Sequence, residues 1–271
     1  MRVTAKKSLG QNFLSNPGIR DSILEAAELR PEDTVLEIGP GTGALTAQLA
    51  ERAGRVIAVE KDRRLIPELR ELFASSPHIQ IIEGDILEFS PAQHDLTAGS
   101  YKIIGNIPYY LTSRLLRIML ERWPQPALIV LMVQKEVAER IIAKPPHMNL
   151  LALSVCFFAQ PSLVKVVKRG SFRPIPEVDS AIIKLAPRTP EISAKQQKEF
   201  FQLIRAGFQS KRKQLASTLA RFLKSDRESL VRTLTRLDIP PTARPENLSL
   251  QEWRVLIAAL ETEFRTNSSR S

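Results

Sequence analysis

Apolar residues recur along this chain with two different periods, and the change from one to the other divides it. Asn16 followed by Pro17 reads as an N-cap and a first helical position, after which Ile19, Ile23, Leu24 and Ala27 fall on one helical face. VLEI (35–38) is a short apolar run that enters a glycine turn, and residues 44–52 are helical in composition. The alternation continues with VIAV (56–59) and a helix over 63–73, IQII (79–82) and a loop, YKII (101–104) and a helix over 112–122, then ALIVLMV (127–133) and a helix over 135–142. Short apolar strands alternating with helices predict an α/β fold with a mostly parallel, doubly wound sheet.

LVKVV (163–167) and AIIKLA (181–186) are strand-like and flank a proline-containing loop, so an antiparallel pair is expected to close the sheet. Beyond the prolines at 187 and 190 the period becomes helical: Phe200, Phe201, Ile204 and Phe208, then Leu215, Leu219 and Phe222, then Leu230 and Leu234, and last Trp253, Leu256, Ile257 and Leu260. The expected organisation is an α/β domain over 1–188, a small all-helical domain over 189–265 and a disordered tail over 266–271. There is no internal repeat.

Composition adds a partner. The 271 residues carry a formal charge of +10, and residues 160–236 hold 17 Lys or Arg against 6 Asp or Glu, so that 17 − 6 = +11 accounts for the whole imbalance. Clustered positive charge suits phosphates, nucleic acid first and an anionic membrane surface second, although a well-solvated basic face has the same composition. The single cysteine, Cys156, lies in the apolar run 150–159 and reads as a small buried thiol. His78, His94 and His147 are scattered without metal-ligand spacing, so no metal is expected. The N-terminus has basic residues but no apolar core of a signal peptide, and no run of about 18 apolar residues follows. A cytoplasmic, monomeric protein with no membrane partner is the expectation.

Four strand ends carry the candidate chemistry. GPGTG (39–43) lies between a strand and a helix, where missing Cβ atoms allow a ligand near the backbone; alone it fits a structural turn or a dinucleotide site equally well. Glu60, after the second strand, can accept hydrogen bonds from ribose hydroxyls. Asp85, after the third, can accept from the exocyclic amine of an adenine ring. GNIPYY (105–110) follows the fourth. In an open α/β sheet ligands bind beyond the carboxyl ends of the strands, so these loops are expected to converge although about seventy residues of sequence separate them.

With these residues in view the chain resembles the ribosomal RNA adenine dimethyltransferases, which use S-adenosylmethionine. The resemblance is carried by KSLGQNFL (7–14), VLEIGPGTGALT (35–46), VIAVEKD (56–62), GDIL (84–87), GNIPYY (105–110), MVQKEVAER (132–140), SFRPIPEVDSAI (171–182) and FQSKRKQL (208–215), nearly the whole length. It implies a Rossmann-like class I methyltransferase sheet and a cofactor site in which Asn12, Leu14, Gly39, Glu60, Asp85 and Asn106 contact S-adenosylmethionine. Placement of the N-terminal motif over the cofactor, and dimethylation of N6 as opposed to a single transfer, come from the resemblance alone. The substrate it implies is small-subunit (16S) ribosomal RNA in an assembling particle, with two adjacent adenosines in a hairpin loop near the 3′ end as targets.

Adenine N6 is a poor nucleophile because its lone pair is delocalised into the ring. Hydrogen bonds from its two protons to the Asn106 side-chain oxygen and to the carbonyl of Ile107 or Pro108 would favour a pyramidal amine, with catalysis resting on positioning and electrostatics. Asn106, Pro108 and Tyr109 are therefore the candidate catalytic residues. Tyr109 is the expected stacking platform for an unstacked base, a contact worth roughly 1–3 kcal/mol. Phe172 is a candidate for the opposite face, with core packing as the equal alternative, and Tyr110 is expected in the pocket wall. Lys211, Arg212 and Lys213, with Arg205, Arg221 and Lys224 nearby, read as an RNA-phosphate site or as a solvated helix face. The chain departs from its relatives at His147-Met148-Asn149 and at Tyr110. Alternatives are a large-subunit methylase, a nicotinamide-dependent oxidoreductase, which leaves Asp85 and GNIPYY unexplained, and a non-catalytic RNA-binding assembly factor.

Overall fold

The computed structural model describes residues 5–6, 10–190, 192–210 and 212–268, with only the backbone from 261 onward. Its elements in chain order are β1 (Phe13–Leu14), α1 (Pro17–Ala27), β2 (Thr34–Ile38), α2 (Ala44–Ala50), β3 (Arg55–Glu60), α3 (Ile66–Leu72), β4 (Ile79–Glu83), β5 (Tyr101–Asn106), α4 (Thr112–Glu121), β6 (Leu128–Gln134) and α5 (Lys135–Ile141). Then come α6 (Leu150–Phe158), β7 (Ala159–Val167), β8 (Phe172–Arg173), β9 (Ser180–Pro187), α7 (Ala194–Phe208), α8 (Leu215–Leu223), α9 (Arg227–Arg236) and α10 (Leu250–Ser268).

Seven strands form one sheet in the order β4-β3-β2-β5-β6-β9-β7. The five from β2 to β6 are mutually parallel, and β9 and β7 close the edge as an antiparallel pair. Central strands covered on both faces read as unbroken apolar runs, which is why Leu128–Gln134 has six consecutive buried residues. On α1 the buried residues are Ile19, Ile23, Leu24 and Ala27, the face expected from the period. They join Val35, Val56, Ile104 and Met132 in the main core. Asn16 does occupy the N-cap of α1 in an extended conformation, but its side chain makes no capping hydrogen bond; Pro17 at the first turn supplies the start signal. At the other end Lys102 on β5 donates to the carbonyls of Ala27 (3.1 Å) and Glu28 (2.6 Å) and to Asp33 (2.8 Å), neutralising carbonyls that the helix itself leaves unpaired.

The chain forms two compact units, 1–142 with 158–189, and 143–157 with 190–271. The grouping of 143–157 with the helices differs from a continuous boundary near 188. Its cause is α6, which is apolar on every side and so has no period to announce it. Phe157 of α6 packs against Phe200 and Phe201 of α7, ring centroids 4.8 and 5.0 Å away. Cys156 is half-buried on this helix, not enclosed in the core as its apolar neighbours suggested. In the helical unit Ser193 opens α7 with a reciprocal capping box to Gln196, and Asp226 caps α9 by accepting from Ser229 N at 2.9 Å. Trp253 of α10 is fully buried and stacks with Phe208. Of the tail expected over 266–271, residues 266–268 continue the backbone of α10, and 269–271 lie outside the described residues. Among the described residues no helix is long and apolar enough to cross a membrane.

Candidate active site

The sheet order reverses between β2 and β5, since β3 follows on one side and β6 on the other. Loops leaving adjacent strands on opposite sides must open a crevice there. Backbone hydrogen bonds that prolong the ladders set those loops: Gly39 N donates to Val59 O (3.0 Å), Gly84 N to Glu60 O (2.9 Å) and Ile107 N to Met132 O (3.2 Å). Gly105, just before the β5 end, allows β2 to come close. A Cβ there would sit 2.9 Å from Ile38 Cβ and 3.1 Å from Ile38 O, so no other residue fits without moving a central strand.

The crevice is a single cleft lined by Gly39 after β2, Glu60 at the end of β3, Asp85 after β4 and Asn106, Pro108 and Tyr109 at and beyond the end of β5. Gly10 to Phe13 form its remaining wall. This arm is held at several points. Phe13 and Leu14 pair with Arg173 and Phe172 as a separate two-stranded sheet, and Ser15 N and Oγ both donate to Ser171 O, at 2.9 and 3.0 Å. Asn106 Nδ2 donates to Asn12 O at 3.0 Å. Phe13 lies over Gly41, where a Cβ would come within 3.0 Å of its ring; the backbone there is left-handed, φ +59°, so glycine is required twice over.

Glu60 is buried, and its two oxygens accept from Gly41 N (3.1 Å) and Asp62 N (2.8 Å). Burial raises its carboxyl above the ordinary value, the two amides pulling the other way. Each oxygen keeps an acceptor site for a ligand hydroxyl. Asp85 Oδ1 accepts from Leu87 N (3.0 Å) and Oδ2 from Lys61 Nζ (2.7 Å). Burial works against its ionisation, but the Lys61 ammonium and the Leu87 amide outweigh it, and the carboxyl lies below its usual range. Asn106 spends its amide nitrogen on Asn12, and that contact fixes which end of the amide is the oxygen. Oδ1 is left as an acceptor. The Tyr109 hydroxyl is anchored 2.8 Å from Ser180 Oγ, itself fully buried, and burial pushes the phenol's pKa above its ordinary value. Pro108 O accepts from Leu111 N at 2.9 Å, closing the turn that follows β5.

Asn12, Gly39, Glu60, Asp85, Asn106, Pro108 and Tyr109 thus meet in one cleft, with Tyr110 in its wall. Leu14 does not line it. Its side chain packs on the core and borders a smaller adjoining recess with Phe13, Gly39 and Asn106. Phe172 is a correction: it is 0% exposed, pairs with Leu14 and sits in the main core, so it offers no face to a base. Its loop proline stiffness was a weaker signal than the apolar partner it has across the β1–β8 pair. Arg212 and Lys213 are exposed in the turn before α8, and Lys211 lies outside the described residues. Among the described residues no group of three or more His, Cys, Asp or Glu side chains is placed to hold a metal ion.

Two residues of the site, Gln11 and Glu37, were not singled out from sequence. Gln11 lines the cleft and reaches Asp62, whose backbone amide holds Glu60. Glu37, within the apolar run of β2, borders the smaller recess at 1% exposure. Its Oε2 makes no hydrogen bond, nor does Thr46 Oγ1 nearby. An acid inside a strand that is covered on both faces is the signal that could have found it.

A sequence profile described as Ribosomal RNA adenine dimethylase matches residues 2–258. "Ribosomal RNA small subunit methyltransferase A" of Dehalococcoides mccartyi is 48% identical over 253 residues, covering 93% of this chain and 87% of that protein. The protein of the same name from Enterococcus faecalis is 40% identical over 266 residues, covering 94% and 90%. Among solved structures, a dimethyladenosine transferase from Plasmodium falciparum matches with TM-score 0.79 and 29% identity over 92% of this chain and 98% of that one. The 23S rRNA methyltransferase ErmE matches with TM-score 0.79 and 29% identity over 92% and 100%. The chain belongs to the ribosomal RNA adenine dimethylase family.

Proposed function

We propose that this protein is an S-adenosylmethionine-dependent enzyme that dimethylates adenosine N6 in small-subunit ribosomal RNA during assembly of the particle. The observation that carries the reading is the Asn106 side chain, at a strand end in the cleft, with its nitrogen committed to Asn12 O and its oxygen free to accept. The cleft suits the cofactor by its donor set: a buried carboxylate at Glu60 with acceptor capacity remaining for a ribose diol, and a second carboxylate, Asp85, for the amine of its adenine. Asn12, Gly39 and Asn106 complete the contacts, with Leu14 acting through the backbone of the arm. When bound, S-adenosylmethionine supplies an electrophilic sulfonium methyl group.

The protein's own contribution is to prepare the amine. Asn106 Oδ1 and the Ile107 or Pro108 carbonyl accept from the two N6 protons, which turns the lone pair out of conjugation with the ring. Tyr109, anchored through Ser180, stacks on the extruded base, and Pro108 stiffens the turn that carries both groups. Arg212 and Lys213 contact RNA phosphates. The small-subunit substrate is supported by the names of similar proteins; the equal structural likeness to ErmE means that overall shape does not separate the two subunits.

Incubation of undermethylated small-subunit particles with labelled S-adenosylmethionine, followed by mapping of the modified adenosines, tests this directly. Incorporation into small-subunit RNA is expected, and Asn106→Ala should reduce its rate by roughly 100-fold or more while RNA binding persists. Label confined to large-subunit RNA would overturn the substrate assignment.

A further inference from the structure

We propose that Asp62 is a positioning residue for the cofactor cleft, clasping the N-terminal arm shut through Gln11 and holding Glu60 in place through its own backbone. The inference rests on the cleft being the S-adenosylmethionine site. Asp62 is a charged residue only 4% exposed, yet it does not line the cleft. Its carboxylate accepts four hydrogen bonds. Oδ1 takes Arg64 Nε (2.9 Å) and Arg64 N (3.2 Å), and Oδ2 takes Arg64 Nη2 (2.6 Å) and Gln11 Nε2 (2.8 Å). Its amide meanwhile donates to Glu60 Oε1 at 2.8 Å.

Gln11 is committed at both ends of its amide, because Oε1 accepts from Lys6 N at 2.7 Å. The next residue, Asn12, is tied to the other side of the crevice through Asn106. Two successive arm residues are thus fastened to the loop after β3 and to the last residue of β5, and the arm spans the cleft between them. Gly10, in a left-handed conformation (φ +63°), lets the chain rest on Pro108 and Tyr110. The strap is the wall of the cleft that faces the strand ends, and the Gln11 tie is the part of it that ends on a buried charge. The Arg64 fork keeps that charge ionised and aimed. The arrangement therefore governs how long the cofactor stays more than how fast it arrives.

Gln11→Glu is the sharpest probe, because it is isosteric at a half-buried position and sets a carboxylate against Asp62. Dissociation of labelled S-adenosylmethionine from the full-length variant, followed after dilution into unlabelled cofactor, is expected to be about tenfold faster or more, with the unfolding midpoint unchanged. Lowering the pH toward about 5 should restore slow dissociation as the new carboxylate begins to protonate, a response that mere structural damage would not give. Gln11→Ala, which removes the tie without adding charge, should show a smaller increase, and it decides the matter if the first variant is unstable. A wild-type dissociation rate in both variants would overturn the proposal. Failure of the unaltered protein to bind S-adenosylmethionine would instead overturn the cofactor assignment on which it rests.

Discussion

Replacing Glu37 by Gln should make the ligand-free protein more stable at high pH and leave it unchanged in acid. The side chain is 1% exposed near the end of β2, and burial, opposed by the nearby Thr46 hydroxyl and reinforced by the Glu60 carboxyl, pushes its carboxyl from 4.5 up to about 8. Below 4.5 both the folded and the unfolded chain hold the proton, and the group costs nothing. Between 4.5 and about 8 the unfolded chain releases it while the folded protein keeps it, so stability falls as pH rises. Above about 8 both states are ionised and the loss is complete. The interval corresponds to about 5 kcal/mol as a ceiling, which water entry and relaxation will reduce. Glutamine is neutral throughout and nearly isosteric. Urea unfolding of both proteins at several pH values from about 5 to about 8.5 would give a difference in stability in which all other titrating groups cancel. It should grow across that range by about 1 kcal/mol or more, an order-of-magnitude floor. A difference that is flat over that range would refute the claim that the folded protein holds Glu37 protonated.

Three further outcomes follow from the same geometry. Tyr109→Ala should lower kcat/KM on RNA by roughly 5- to 150-fold, the equivalent of about 1–3 kcal/mol of stacking, whereas Tyr109→Phe should keep most of the activity and lose about 0.5–1.5 kcal/mol of stability through the Ser180 bond. Steady-state kinetics beside thermal unfolding separates the two; equal activity losses would refute the stacking role. Gly105→Ala should destabilise by about 1–3 kcal/mol because its Cβ would overlap Ile38, and an unchanged melting temperature would contradict the close approach of β2 and β5. Arg212→Ala combined with Lys213→Ala should flatten the slope of log affinity against log salt by about 1.4–1.8 in RNA-binding titrations, and an unaltered slope would remove both from the phosphate contacts.

The α/β half was legible because its strands and helices obey one period each. VLEI, VIAV, IQII and YKII could be placed as short segments made mostly of apolar residues, and the four strand-end residues Gly39, Glu60, Asp85 and Asn106 could be brought together by the rule that such sheets bind ligands at one end. Elements without a period escaped. β1 and β8 have two residues each, too short to alternate, and it is their pairing that buries Phe172 and puts the arm over the cleft. α6 is apolar all round, so it looked like an undifferentiated run and Cys156 like core. Interactions among side chains were invisible for a different reason. That Gln11 would meet Asp62, fifty-one positions away, or that Tyr109 would lean on Ser180, depends on where the backbone turns, which the order of residues specifies only through the whole fold.

The small β1–β8 sheet pairs Phe13 with Arg173, so 173 − 13 = 160 residues of chain separate the two partners. Synthesis at about 5–20 residues per second leaves the arm without its mate for roughly 8–32 s after it is made. During that interval β2, β3 and β4 can pair, and the loops bearing Glu60 and Asp85 can form, but the wall made by Gly10 to Phe13 cannot. A nascent chain would therefore acquire a shelf of strand ends well before it acquires a walled cleft, and tight retention of a ligand would mark the moment when β8 emerges.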